Sequence, residues 1–219
     1  MTFSGLSLDG WHFLCELQAH NDRSWFQQQQ QRYKKHLQAP ALSLVETLES
    51  ALTTMIGHEM NGKVFRIHRD VRFSKDKTPY NTHLRFAIKS SASDRCNPAF
   101  FFSLEPERCV LGTGIFEFDK NQLLAFRRAL DTPYGAQMDH VVEETKAKGF
   151  DYYEPDLKRV PSGFASDHPR GHWLRCKGLS CWRSMPVAEE LFDDRCLAFF
   201  LTHYQDARPL FDWLEGMPL

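Results

Sequence analysis

The spacing of hydrophobic and polar positions changes once, sharply, along the chain. Over the first sixty residues apolar side chains recur at helical intervals. Trp11, Leu14, Cys15 and Leu17 fall close to one helix face. The stretch Asn21-Asp22-Arg23-Ser24 interrupts that pattern and supplies N-cap candidates for a second helix carrying Trp25, Phe26, Tyr33 and Leu37. The polar run 27–31 reads as the wet face of that helix. Pro40 fits the first turn of a third helix, with Leu44, Val45, Leu48, Leu52 and Met55 as its apolar stripe and Gly57 as its stop.

From Lys63 the period becomes two. Phe65, Ile67, Val71 and Phe73 alternate with Arg66, His68, Asp70 and Arg72, and Arg69 breaks the pattern. Asp76-Lys77-Thr78-Pro79 has turn chemistry. Beyond it Leu84, Phe86 and Ile88 alternate with His83, Arg85, Ala87 and Lys89. This predicts a hairpin with a long loop, or a more complex connection, with one apolar face and one face bearing Arg66, His68, Arg72, His83, Arg85 and Lys89. Residues 99–104 form a continuous apolar run suited to a central strand. A further strand covers 109–116, where Gly112 and Gly114 mark a bulge or a close backbone approach.

Asp119 caps a predicted helix through Leu130, and Thr132-Pro133 opens another that ends near Gly149. Residues 151–186 read mostly as loop, with a short strand near 157–160, and the chain closes with a helix from about Asp194 toward Trp213. Together these elements predict one α+β domain over 1–219: an antiparallel or mixed sheet flanked by N-terminal and C-terminal helices.

Composition narrows the partners. The 219 residues carry a net charge of −1, so no global basic field drives nucleic-acid binding, although a local basic face does not exclude it. No apolar run approaches the roughly 20 residues of a membrane span, and the first residues lack a signal-peptide pattern. The six cysteines are scattered, which fits a reducing, cytoplasmic compartment. Cys176 and Cys181 have no matching second pair, His168 and His172 are separated by Pro169 and Gly171, and no carboxylate cluster invites magnesium. No metal site and no cofactor is therefore expected. Nucleophile-elbow and P-loop motifs are missing, and Gly112-Thr113-Gly114 is too short for a dinucleotide fingerprint.

The most informative stretch is Arg66-Ile-His-Arg-Asp-Val-Arg-Phe-Ser-Lys-Asp-Lys-Thr-Pro-Tyr80. It is preceded by Asn21-Asp22-Arg23-Ser24-Trp25-Phe26 and followed by Leu157-Lys158-Arg159 with Pro161, Gly163, Phe164 and Asp167-His168-Pro169. On these residues the chain resembles the uncharacterised domain-of-unknown-function family 2461, over nearly its whole length. Asn81 departs from the Lys usual after Pro-Tyr in that pattern. The resemblance implies a single α+β domain and supplies no activity.

Between Arg66 and Lys77 stand five Arg and Lys against two Asp, so pairing within the run cannot neutralise it. One reading is a pocket for a small anionic ligand, including phosphorylated compounds, bound by Arg66, Arg69, Arg72, Ser74, Lys77 and Arg159. The planar guanidinium fork suits such groups. The competing reading is a network in which Arg69 pairs with Asp70 or Asp76 to hold the fold. If there is catalysis, Asp70, Asp76 and His168 are the proton-transfer candidates, with Asp167 orienting His168. In the bland account Asp167 caps a turn and His168 packs on it. Asn21-Asp22-Arg23 with Trp25 and Phe26 reads as helix capping plus core anchoring; the alternative is that Asn21 and Arg23 line the pocket rim. The alternative function is a non-catalytic protein that contacts a protein or nucleic acid through the basic face.

Overall fold

The computed structural model describes residues 4–91 and 96–218. Helices α1 (Leu8–Ala19), α2 (Arg23–Arg32) and α3 (Ala39–Ile56) come first. Strands β1 (Met60–Val64), β2 (Leu84–Ser90), β3 (Ala99–Leu104) and β4 (Cys109–Ile115) follow. Then come α4 (Lys120–Leu130), α5 (Pro133–Ala147), β5 (Asp151–Tyr152), α6 (Gly171–Leu174), β6 (Leu179–Met185) and α7 (Cys196–Glu215). The strands form one antiparallel sheet in the order β1-β2-β3-β4-β6-β5, and the fold class is α+β.

The chain divides into two compact units. The first holds the described residues up to Ile88 with Phe101–Leu111 and Ser184–His203. The second holds the described residues of Lys89–Phe100, Gly112–Arg183 and Tyr204–Leu219.

In the first unit, α1 buries Phe13, Leu14 and Leu17, and α3 buries Leu44, Val45, Leu48 and Leu52. Arg32 ties α2 to α1, donating to Asp9 and to Glu16 at 2.7 Å each. The expected break before a third helix does not occur. Residues 33–38 form a π-helical segment that joins α2 to α3 with helical backbone angles throughout. Pro40 explains it. Proline has no N–H for the carbonyl of His36, and its ring would crowd that oxygen. The wider turn relieves this, and the Ala39 N–H reaches back to the Lys34 carbonyl instead. Gly57 ends α3 in the left-handed region at φ 93°. Phe86, Phe102 and Phe200 pack as a cluster with ring centroids 4.8–5.6 Å apart.

The first predicted strand needs correction. The regular strand is Met60–Val64, and 65–73 is irregular apart from a single bridge, His68 to Tyr80. Of the alternating apolar positions only Ile67 is buried: Phe65 is 46% exposed and Phe73 96%. Beyond the bridge Asp70 adds a local competitor to pairing: its carboxylate accepts from the Arg72 backbone N–H at 3.3 Å and offers the chain an alternative to a sheet ladder. Strand β2 follows its predicted alternation, with Leu84, Phe86 and Ile88 buried and Arg85 and Lys89 exposed.

In the second unit, α4 begins with a capping box between Asp119 and Gln122. Its core joins Phe118, Phe126, Leu130, Met138, Phe150 and Leu210. Tyr134 and Trp213 hold each other reciprocally, the phenol donating to the Trp213 carbonyl at 2.5 Å and the indole to the Tyr134 carbonyl at 3.3 Å. Gly114, at φ 137°, brings β4 against β6 so closely that a Cβ would lie 2.2 Å from the Leu179 carbonyl oxygen. Of the two roles foreseen for the glycines, close backbone approach is the one realised. The predicted strand near 157–160 is absent. Instead 151–152 pairs antiparallel with β6, Asp151 opposite Trp182 and Tyr152 opposite Cys181.

All six cysteines are free thiols. Burial pushes Cys109 up to about 11 and Cys181 up to about 12, so both stay protonated and unreactive at neutral pH. No helix among the described residues is long and apolar enough to cross a membrane.

Candidate functional site

The stretch 66–80 is a loop pinned at its base. The N–H of Phe65 donates to the Arg85 carbonyl at 2.8 Å, that of Asn81 to Ile67 at 2.7 Å, and that of Arg69 to Pro79 at 2.9 Å. Asn21 locks the far end. Its amide donates to the Tyr80 carbonyl at 2.9 Å, and its amide oxygen accepts from the Tyr80 N–H at 3.1 Å. Tyr80 stacks on Phe26 with centroids 4.0 Å apart and planes 14° apart, and His68 meets both rings edge-on. Residues 21–26 and 66–80, distant in sequence, are therefore one structure. Asp22 is the helix cap, accepting from the Trp25 N–H. Asn21 is neither cap nor rim; it clamps the backbone of the loop.

Inside the loop the charges serve one another. Asp76 accepts from the Thr78 N–H at 2.9 Å and from Arg69 at 2.5 Å. The Thr78 N–H, then Arg69 and the Thr78 hydroxyl, pull its carboxyl down to about 2. Arg69 also reaches the Thr78 carbonyl at 3.2 Å. Of the two partners foreseen for Arg69, the structure selects Asp76.

Arg72 grips Asp70 through Nε at 2.9 Å and Nη2 at 2.7 Å, which holds the Asp70 carboxyl below the usual carboxylate range. Lys77 donates to the Val71 carbonyl at 2.9 Å, and the Ser74 backbone N–H bonds the same oxygen at 3.3 Å. Arg69, Arg72 and Lys77 thus lie in three separate local pairings. Arg66 instead lines a cleft of about 340 Å³ with Lys34, Gln30, Tyr33 and His68. Arg159, in the second unit, is exposed.

The proton-transfer candidates are constrained. Asp70 and Asp76 are held as carboxylates, which makes them poor acids and weak bases near neutrality. His168 is oriented by Asp131, at 3.1 Å from Nε2, and not by Asp167. Its Nδ1 accepts the Arg170 backbone N–H at 3.0 Å. A nitrogen that accepts carries no proton, so Nε2 bears the hydrogen and both ring nitrogens are occupied. His68 pairs with Tyr80 across the loop and does not face His83 through the bridge. Among the described residues no three His, Cys, Asp or Glu side chains group closely enough to hold a metal ion.

A second cleft in the first unit was not foreseen. It encloses about 450 Å³ between Gln18, Thr82, His83, Arg85, Glu105 and Arg108. Arg85 donates to the Ser103 hydroxyl at 3.1 Å, and Arg108 to Glu105 at 2.8 Å. Burial, reinforced by Arg85, lowers His83 to about 4, so it is a neutral imidazole at physiological pH. Burial opposes ionisation of Glu105, but hydrogen bonds from Arg108 and Ser103 outweigh it and keep the carboxyl below its usual range. Alternation placed His83 and Arg85 on a polar sheet face. Only the β3–β4 turn, through Glu105 and Arg108, turns that face into a cleft.

A family model described as Conserved hypothetical protein (DUF2461) matches residues 9–213. The chain belongs to this family. The match takes in both the Asn21 clamp and the loop it closes, so the joined structure lies within the DUF2461 region. No curated protein matches the chain.

Proposed function

We propose that this chain binds a small anionic ligand, of the phosphate or carboxylate class, on the loop 66–78. The observation that carries this reading is the charge balance of a folded, exposed loop. Five cations face two carboxylates, and both carboxylates are already committed, Asp76 to Arg69 and Asp70 to Arg72. The surplus sits on Arg66, Lys75 and Lys77. The side chain of Arg72 is 77% exposed, and its bonds to Asp70 use Nε and Nη2, leaving Nη1 to a second anion. Because the loop is pinned by Asn21 and Tyr80, these donors are ordered before a ligand arrives, which lowers the entropic cost of binding. The reading rests on residues of the first unit alone.

One observation favours the alternative, a surface for a protein or nucleic-acid partner. Phe73 is 96% exposed beside the Arg72 guanidinium, whose carbon lies 5.9 Å from the ring centroid. An apolar ring at the tip of a basic loop contributes little to a small anion and much to a macromolecular contact.

The test is thermal unfolding with phosphates, nucleotides, sugar phosphates and dicarboxylates, in the native chain and in Arg72→Ala and Arg66→Ala. A ligand at 100 times its Kd stabilises by about 2.7 kcal/mol, a shift of roughly 5–10 °C for a chain of this size. The expected result is such a shift for one ligand class that either substitution abolishes. A partner surface would instead give no shift with any small anion, and binding that weakens with salt and with Phe73→Ala.

A further inference from the structure

The second unit contains a cleft of different chemistry. Its walls are four aromatic side chains, Phe116, Tyr152, Tyr153 and Trp173, and two carboxylates, Glu154 and Asp156. It encloses about 180 Å³, and its described lining includes no Lys, Arg or His. We propose that this cleft binds an organic ammonium, quaternary or methylated, with the aromatic rings around the cation and Glu154 and Asp156 supplying the counter-charge.

The rings are fixed where they stand. The Tyr152 hydroxyl is 2.7 Å from Thr145 Oγ1, which itself donates to the Val141 carbonyl, so the phenol is used inside the fold and only its ring is offered to the cleft. Trp173 meets Tyr152 edge-on at 5.2 Å. Phe116 and Tyr153 are 61% and 63% exposed, yet each packs against Trp182, with centroids 5.2 and 5.8 Å away. The backbone at the base is equally constrained. A Cβ on Gly178 would lie 2.0 Å from the Phe116 carbonyl oxygen, and the Phe118 N–H donates to Lys177 at 2.9 Å. Asp156 accepts from the Lys177 N–H at 2.7 Å, which holds one carboxylate in place. Arg175 is a neighbouring cation, and its Nε is engaged by the Gly171 carbonyl at 3.2 Å.

This combination selects among ligands. A cation is drawn to the negative faces of aromatic rings, and a methylated ammonium loses little hydration when it meets them. An anion would meet two carboxylates, and no cationic side chain in the described lining. A compact metal ion would need more oxygen ligands than two carboxylates provide. The cation can come from a free small molecule or from a methylated lysine on a peptide, and both present the same head group.

The experiment titrates choline, its neutral carbon isostere 3,3-dimethylbutan-1-ol, and a short peptide with and without trimethyl-lysine into the full chain. Tryptophan fluorescence and calorimetry are the readouts. Saturable binding of choline or the trimethylated peptide, roughly tenfold tighter than the isostere, is expected. Phe116→Ala and Tyr153→Ala, both at exposed positions, each weaken it several-fold, and Glu154→Gln weakens the cation without affecting the isostere. The stronger of the two cationic probes identifies the source. Equal binding of choline and its isostere, no response to any cation, or undiminished binding in both aromatic variants would overturn the assignment.

Discussion

Two irregular stretches of this chain, 66–80 and 151–178, are held in opposite ways. The first is rich in charge and buries little: Ile67 and Tyr80 are its only buried residues, and two ion pairs, Arg69 with Asp76 and Arg72 with Asp70, are made within it. The second is latched by apolar groups. Leu174 and Cys176 are buried in one core with the adjoining Phe150, and Val160, Phe164 and Trp173 pack on it. The loop dense in salt bridges therefore owes its place to the few residues at its base, because exposed ion pairs contribute little against water and salt. What its charges supply is shape within the loop and a surplus for a ligand.

The sharpest way to break this comparison is to remove the latches. Phe26→Ala, beneath Tyr80, is expected to cost about 3–5 kcal/mol, and Leu174→Ala in the second unit about 2–5 kcal/mol, both by urea unfolding. If Phe26→Ala cost no more than an exposed charge, the loop would not be anchored at its base. Asn21→Ala comes next. It strands the partly buried N–H and carbonyl of Tyr80, for an expected loss of about 1–3 kcal/mol. Faster amide exchange of Arg69 and Asn81 than of the β3 amides would show that the effect is local to the loop.

A pH dependence follows. His83 takes up a proton near 6.5 when unfolded and only near 4 when folded. The unfolded state therefore holds more protons between those values, and stability falls as pH drops from 6.5 toward 4. Allowing for partial exposure the effect is about 1–2 kcal/mol, and His83→Gln should flatten that limb of the stability curve. The smallest effect sharpens the contrast most. Asp76→Asn and Arg72→Ala should each change stability far less than Phe26→Ala does, because exposed ion pairs are screened by water and salt. A loss near that of Phe26→Ala would mean that the ion pairs hold the fold and that the anion reading fails. The Asp76 carboxylate contributes above its ordinary value of 3.8, and its hold on Thr78 and Arg69 is lost as pH falls toward about 2.

Much of the fold was legible in the chain. The alternation at Leu84, Phe86 and Ile88, the apolar run of β3 and the caps at Asp119 and Gly57 all reflect local rules, and each sits where expected. Strand β6 was missed because Ser180, Cys181 and Ser184 give it neither strong β-propensity nor clean alternation. The apparent strand at 65–73 shows the converse: alternation persisted on paper after regular pairing had stopped at Val64.

The site divides in the same way. The excess of cations in 66–80 is a property of composition, and counting residues is enough to find it. Which cation meets which carboxylate, and that Asn21 and Phe26 close the loop, depends on segments brought together from far apart in the chain. The clefts around His83 and around Trp173 were invisible for that reason: no run of residues carries them. Local patterning and charge count follow from the sequence itself, because they involve neighbours. Partner choice, burial and the reshaped acidity of His83 follow from tertiary structure, because water is excluded only where distant segments meet.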